Sequence, residues 1–135
     1  MTDSALICVP PDRTAVLWPH VREMIEAGLA AGDEVLPDGL LERLADGRVL
    51  LWIAVVDERI VAAMLTALLP RKSGLVCKML ATGGTDFDIW KGWHVRIEEY
   101  ARAENCVKVE SECRPGFSRV LDGYRTVRHV IEKRL

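Results

Sequence analysis

The sequence predicts an α/β domain, an α+β arrangement in which one mixed β-sheet carries helices on both faces. Two observations support this prediction. Short apolar runs alternate with amphipathic segments, and a hairpin-rich front half is followed by a strand–helix–strand back half. The 135 residues are half hydrophobic, which suits one domain with a real core, so residues 1–135 are predicted to form a single domain.

The front half predicts two helices between a first strand and a hairpin. In the first helix Val21, Ile25 and Leu29 recur every fourth residue and form one apolar stripe. The run Val49–Val56 is apolar throughout, which indicates a strand buried on both faces. The predicted elements are strand Ala5–Val9, helix Val16–Ala31, short helix Pro37–Gly47, and strands Val49–Val56, Ile60–Leu69 and Leu75–Ala81.

The back half predicts a glycine-bearing loop and a long helix, then two strands around a short helix. Thr82–Thr85 is the predicted loop, and Thr85 with Asp88 resembles a capping box at the start of the long helix. The predicted elements are helix Asp86–Glu104, strand Val107–Cys113, helix Phe117–Asp122 and strand Thr126–Lys133. The complete order is therefore β-α-α-β-β-β-α-β-α-β.

Composition excludes several classes of protein. A net charge of −2 offers no basic surface for nucleic acid. No apolar run reaches the roughly 18 residues of a membrane-spanning helix. The N-terminus carries Asp3 and no basic segment, so no secretory signal is predicted and a cytoplasmic location is expected. The four cysteines form no C-x-x-C pair, so reduced, partly buried thiols and no metal site are predicted.

One predicted strand carries an unusual row of charges. With the period of two of a strand, one face of Val107–Cys113 presents charged side chains and the other presents Val107, Val109, Ser111 and Cys113. Burying such a charged face in a sheet would be costly. The face must therefore line a cleft, reach solvent or pair internally. Its members are Lys108, Glu110, Glu112 and Arg114.

The element order and two local segments resemble the GNAT superfamily of acyl-CoA N-acyltransferases. Leu75–Arg102 looks like the family's strand–loop–helix unit that holds the coenzyme A pyrophosphate, and Gly116–Tyr124 looks like its late helix with a Gly-aromatic ending. The resemblance implies transfer of an acetyl group from acetyl-CoA to a small-molecule or protein amine. It also implies a cofactor-binding segment that consists of Leu80, Ala81, Thr82, Gly83, Gly84 and Thr85.

Two positions depart from the family pattern. The family's loop reads Arg or Gln, two residues, Gly, one residue, Gly or Ala, whereas Ala81–Asp86 has no basic or amide residue and adjacent glycines. Asp86 and Asp88 would repel a pyrophosphate, so the segment is either an altered cofactor loop or simply a capped helix start. The family's tyrosine acid is replaced by Arg119, and Tyr124 is predicted to fill the core.

The resemblance places the charged strand where the amine meets the thioester. A carboxylate there could take the amine proton, so Glu110 and Glu112 are the predicted catalytic residues, with the sequence unable to choose between them. The competing interpretation is an exposed or self-paired ladder of charges. At the level of function, the alternative to an N-acetyltransferase is a non-catalytic GNAT-like binding or assembly module of phage or prophage type.

The sheet edge predicts a partner. Family members usually finish with two antiparallel strands after the late helix, whereas here only Thr126–Lys133 follows Tyr124. An unpaired strand edge is normally covered or paired, so a symmetric homodimer is predicted. The charged ending Glu132–Arg134 offers the alternative of a protected edge on a monomer.

Overall fold

A five-stranded sheet organises the chain, and its strands lie side by side in sequence order. The computed structural model describes residues 4–31, 34–85, 91–112 and 121–135. Single 3-10 turns at Pro11–Arg13 and Lys91–Trp93 precede two of the helices. The main elements are β1 (Ser4–Cys8), α1 (Thr14–Ala31), α2 (Leu40–Ala45), β2 (Val49–Val56), β3 (Arg59–Arg71), β4 (Gly74–Gly84), α3 (His94–Ala103) and β5 (Lys108–Ser111).

The sheet is mixed, as predicted. β1 to β4 pair antiparallel with their neighbours, and β5 lies parallel to β4 because α3 carries the chain back across the sheet. Two register shifts interrupt the ladders, one between Ala54 and Val55 and one between Leu65 and Thr66. The second shift leaves Leu80 of β4 without a partner on β3, which is a β-bulge.

Helices cover both faces of the sheet, which confirms the predicted layers. On one face, α1 packs over β3 and β4 and α2 packs over β2, and the predicted stripe of Val21, Ile25 and Leu29 is buried. On the other face, Ile97 and Ala101 of α3 pack with a cluster centred on Trp52. Fully burying a side chain such as Ile25 contributes about 1.5–3 kcal/mol, so both layers stabilise the sheet.

The predicted glycine loop is the end of a strand. β4 runs through Gly84 and does not end at Ala81. Its ladder with β3 continues to the pair of Gly84 with Ala62, and Thr85 then donates its backbone N–H to Val61 O at 2.7 Å. Backbone pairing thus outweighs the preference of glycine for turns. The predicted helix start at Asp86–Trp90 lies outside the described residues.

The predicted last strand is wrong. Residues 125–135 have no regular structure, and their side chains are exposed. A strand needs one apolar face to bury, whereas strand geometry would send the adjacent Val130 and Ile131 to opposite faces, and both are more than 90% exposed (91% and 93%). β5 is the outermost strand of the described sheet. The homodimer that would cover it stays a prediction, and the predicted helix Phe117–Asp122 lies mostly outside the described residues.

Candidate functional site

An opening between β4 and β5 is the most distinctive feature of the sheet. The two strands pair over Val76–Met79 and Lys108–Ser111. β4 then continues to Gly84, and past Met79 none of the described residues pairs with its outer edge. The bulge at Leu80 begins this unpaired stretch. Bulges re-aim the backbone, so N–H and C=O groups of β4 face the opening at this point.

The charged face predicted for β5 borders this opening. Lys78 on β4 is the register partner of Glu110, so both side chains project from one face of the sheet. That face is the one covered elsewhere by α1 and α2, because Lys78 also pairs with Ala67, which packs against the core beneath those helices. Lys108 and Glu110 therefore share this face, as predicted, and Glu112, one residue past β5, reaches Lys78 on the same face, whereas Arg114 lies outside the described residues.

Glu110 is held by two arginines. Its Oε1 accepts from Nη2 of Arg71 at 2.7 Å and from Nη2 of Arg128 at 3.4 Å, and only 10% of its side chain is exposed. The Arg71 hydrogen bond lowers the pKa of Glu110 below its ordinary value, burial partly opposes this, and the charges of both arginines lower it further. Glu110 is therefore a charged carboxylate that already has its partners.

Lowering the pH is expected to remove the stability that these ion pairs contribute. Because the folded pKa of Glu110 lies below its ordinary 4.5, the contribution is present above that pH and is lost as the pH falls through the folded value. Glu110→Gln has no charge to lose. Between about pH 6 and about pH 3, its melting temperature should fall less than that of the wild type.

Thermal unfolding followed by circular dichroism gives both curves. Glu23→Gln, a change at an exposed position of α1, should reproduce the pH dependence of the wild type. Parallel curves for Glu110→Gln and the wild type would contradict the ion-pair assignment.

Glu112 has a different environment. Met79 and Ser111 are the last residues that pair between β4 and β5. Leu80 and Glu112, the next residue of each segment, therefore both lie just beyond the paired part of the sheet. Oε1 of Glu112 lies 3.1 Å from Nζ of Lys78, and 60% of the Glu112 side chain is exposed. Glu112 thus places a solvent-accessible carboxylate, anchored by one cation, beside the β4 bulge.

The glycines near the end of β4 serve helix packing. A Cβ on Gly83 would overlap the carbonyl oxygen of Met24, and a Cβ on Gly28 would overlap that of Thr82. Two backbones therefore meet here without intervening side chains, which only glycine permits. Gly84 is equally constrained by Val61 O and has a φ of 153°. The predicted cofactor-binding segment Leu80–Thr85 stays a prediction, but its glycines already have a structural reason.

Tyr124 packs in the core, as predicted. It contacts the cluster around Trp52, and its ring lies edge-on to His94 with centroids 5.8 Å apart. Burial raises the pKa of Tyr124 well above its ordinary value, and the nearby Glu98 carboxylate raises it further. A phenol of this kind is a poor proton donor.

The thiols are also unsuited to nucleophilic chemistry. Cys8, Cys77 and Cys106 are free, which confirms the prediction for these three residues, and Cys113 lies outside the described residues. Burial raises the pKa of the Cys77 thiol to about 11, and it also raises the pKa of Cys8. Thiolate is the reactive form, so neither thiol is activated.

The sequence did not single out three cations of this site, Arg71, Lys78 and Arg128. Lys78 did carry a signal, because it is the one charged residue in the otherwise apolar run Leu75–Ala81. Arg71 and Arg128 carried none, since only the folded chain brings them to Glu110 across 39 and 18 residues of sequence.

The described residues contain neither a membrane-spanning helix nor a metal-binding cluster. Among residues 4–31, 34–85, 91–112 and 121–135, no helix is both long and apolar enough to cross a bilayer. Within the same ranges, no group of three or more His, Cys, Asp or Glu side chains is arranged to hold a metal ion.

The chain was compared with known proteins. No protein-family model matches it, and no curated protein matches it significantly in sequence. Solved structures match over nearly their whole length. An aminoglycoside acetyltransferase from an uncultured soil metagenomic sample, solved with trehalose, has a TM-score of 0.69 at 12% identity, with 98% of this chain and 97% of that chain covered.

Two further matches were solved with coenzyme A species. A predicted acetyltransferase from Clostridium acetobutylicum, solved with acetyl-CoA, has a TM-score of 0.66 at 16% identity and covers 99% and 96% of the two chains. The aminoglycoside N-acetyltransferase AAC(6')-Iy, in complex with CoA, has a TM-score of 0.67 at 12% identity and covers 100% and 96%. The chain therefore has the fold of the GNAT acetyltransferases.

Proposed function

We propose that this protein is an N-acetyltransferase that moves an acetyl group from acetyl-CoA to an amine. The observation that supports this most directly is the unpaired, bulged edge of β4 at Leu80, with the Glu112 carboxylate beside it. The acetyltransferase names of the matching structures, two of them solved with acetyl-CoA or CoA, agree with it. No feature of the described residues favours the alternative of a non-catalytic binding or assembly module.

The unpaired edge of β4 suits the donor. Acetyl-CoA supplies an acetyl group activated as a thioester, and its pantetheine arm contains two amides. Amides of this kind pair with an open strand edge as another strand would. We assign the arm to the edge that begins at Leu80 and Ala81. Thr85 gives its backbone N–H to Val61 O and cannot give it to a phosphate at the same time.

The predicted chemistry needs one base. The amine nitrogen attacks the acetyl carbonyl carbon, so that a C–N bond forms as the C–S bond breaks, and the amine gives up one proton. Glu112 accepts that proton, and solvent protonates the leaving thiolate, because Arg119 stands where the family's tyrosine would be and an arginine stays charged.

Glu112 is the better base of the two predicted carboxylates. A general base is most effective when its pKa lies close to the working pH. The pKa of Glu110 is lowered by two guanidiniums that occupy its carboxylate. Glu112 shares a single contact with Lys78 and is open to solvent, so an amine can reach it. We therefore assign the proton transfer to Glu112 and a supporting role to Glu110.

Calorimetric titration tests donor binding. Acetyl-CoA and coenzyme A should each bind, and each should raise the melting temperature with increasing concentration, as any ligand of the folded state does. Pantetheine should bind as well, because the β4 edge recognises the amide arm. Adenosine 3',5'-bisphosphate, which lacks the arm, should bind much more weakly. Absence of heat and of a thermal shift at millimolar acetyl-CoA would overturn the proposal.

A further inference from the structure

The charged face beside the opening carries more positive than negative charge. Arg71, Lys78 and Arg128 are in ion-pair contact with two carboxylates, Glu110 and Glu112. The excess is greatest at Glu110, where one carboxylate oxygen accepts from both guanidiniums. Lys108, on the same face of β5, adds a further cation.

Arg71 and Arg128 each have N–H donors that do not contact Glu110. A guanidinium has five N–H donors, and in each arginine only the Nη2 contact is made to Glu110. Arg71 is 35% exposed and Arg128 is 60% exposed, so both reach solvent from a partly buried anchor. The two cations also repel one another, and a second anion between them would relieve that repulsion. The planar fork of arginine matches a carboxylate particularly well.

The distance between the two arginines and Glu112, the proposed base, limits the size of an acceptor that contacts both. Glu112 lies two residues after Glu110, just past the end of β5, which is roughly 7 Å of extended chain. A short molecule that has an amine at one end and a carboxylate at the other spans this distance when its contacts at both ends are included. A polycationic acceptor would instead place like charge against the arginines.

We infer that Arg71 and Arg128, fixed by Glu110, form an anion site that binds a carboxylate of the acceptor, so that the acceptor is a short amino acid and not a polyamine. This inference rests on the proposed acetyl transfer. Glu110 acts as a positioning residue here, because it touches the two arginines and not the acceptor. The roles of the two carboxylates are thus separated, with Glu110 orienting the arginines and Glu112 accepting the proton.

Matched pairs of amines test the inference. Glycine, β-alanine and γ-aminobutyrate differ from methylamine, ethylamine and propylamine only by the carboxylate. When kcat/KM is calculated from the concentration of free amine, the carboxylated member of each pair should show a value at least about tenfold higher, the factor that one charge-assisted hydrogen bond supplies. Equal values within the pairs, or a preference for a polyamine such as spermidine, would overturn the inference.

Arginine variants locate the effect. Arg128→Gln and Arg71→Gln should each reduce the carboxylate preference, mainly through KM. Arg128 lies in the exposed segment after Tyr124, so its variant keeps the test open if Arg71→Gln fails to fold. Arg22→Gln, which removes a guanidinium that pairs with Glu26 within α1, should keep the preference of the wild type. An unchanged preference in both site variants would contradict the assignment.

Direct binding separates this inference from the proposed function. β-Alanine and ethylamine are titrated into the protein with coenzyme A present. Binding heat should be detected for β-alanine and not for ethylamine, and β-alanine should bind Arg128→Gln about tenfold more weakly than the wild type. Binding of β-alanine without any acetyl transfer would support the anion site and contradict the enzyme. Transfer to amines without a carboxylate preference would support the enzyme and contradict the anion site.

Discussion

Glu112→Gln is expected to lower kcat for acetyl transfer by about 10²–10⁴-fold, the range that a positioned base contributes. The change removes the group that takes the amine proton, while the amide keeps the size of the side chain and an oxygen that Lys78 can contact at the position of the present 3.1 Å ion pair. Acetyl-CoA binding should stay unchanged, because donor binding is assigned to the backbone edge of β4. Steady-state kinetics with calorimetry on the same preparation measure both quantities.

The dependence of this loss on pH distinguishes a base from a merely structural residue. Hydroxide can take the amine proton in place of Glu112 when the pH is high, so the gap between Glu112→Gln and the wild type should narrow as the pH rises. A structural defect would persist at every pH. Glu23→Gln, on the exposed surface of α1, is the control and should retain full activity. A larger loss in Glu110→Gln than in Glu112→Gln would move the role of base to Glu110.

The period of two made the charged face of β5 predictable from the sequence. The spacing predicted that Glu110 and Glu112 share a face once Val107–Cys113 was identified as a strand, and in the structure Lys78, the register partner of Glu110, contacts Glu112. The stripe of Val21, Ile25 and Leu29 was predictable for the same kind of reason, because helical spacing fixes which side chains are buried. Both are local properties of the chain.

The features that distinguish Glu110 from Glu112 depend on distant contacts. Arg71 and Arg128 reach Glu110 only because β3, β5 and the segment after Tyr124 converge, and no spacing rule reveals this. The bulge at Leu80 is likewise a property of the pairing between β3 and β4. The last strand, Thr126–Lys133, was predicted from its place in the element order, but the residues around Val130 offer no single apolar face to bury.

Gly83 shows how a local pattern led to the wrong secondary structure. Adjacent glycines after an apolar strand are typical of a loop, and this made Thr82–Thr85 the predicted loop. The structure instead brings α1 so close to β4 that Gly83 lies against the carbonyl of Met24, and Gly28 lies against that of Thr82. The partner that requires the glycine is more than fifty residues away in sequence, so the sequence alone could not reveal it.

Gly83→Ala is therefore expected to lower the free energy of unfolding by about 3 kcal/mol, the upper part of the usual range for overpacking. The overlapped atom is the backbone carbonyl oxygen of Met24, which cannot move aside as the end of a flexible side chain can. Gly92→Ala is the matched control. A Cβ there meets no atom of the described residues within 4 Å, so its effect should stay within about 0.5 kcal/mol. Urea unfolding monitored by tryptophan fluorescence measures both variants, and an unchanged m-value would show that the substitution changes stability and not the surface exposed on unfolding.

The same variant decides between the two explanations of these glycines. If Gly83 were kept to let a pyrophosphate approach the backbone, alanine would weaken acetyl-CoA binding and leave stability intact. We expect the reverse, a large loss of stability with little change in affinity for the fraction that stays folded. Gly28→Ala, which introduces a Cβ from the α1 side of the same contact, should destabilise the protein as well. A stable Gly83→Ala protein with impaired donor binding would restore the cofactor loop and remove α1 from this contact.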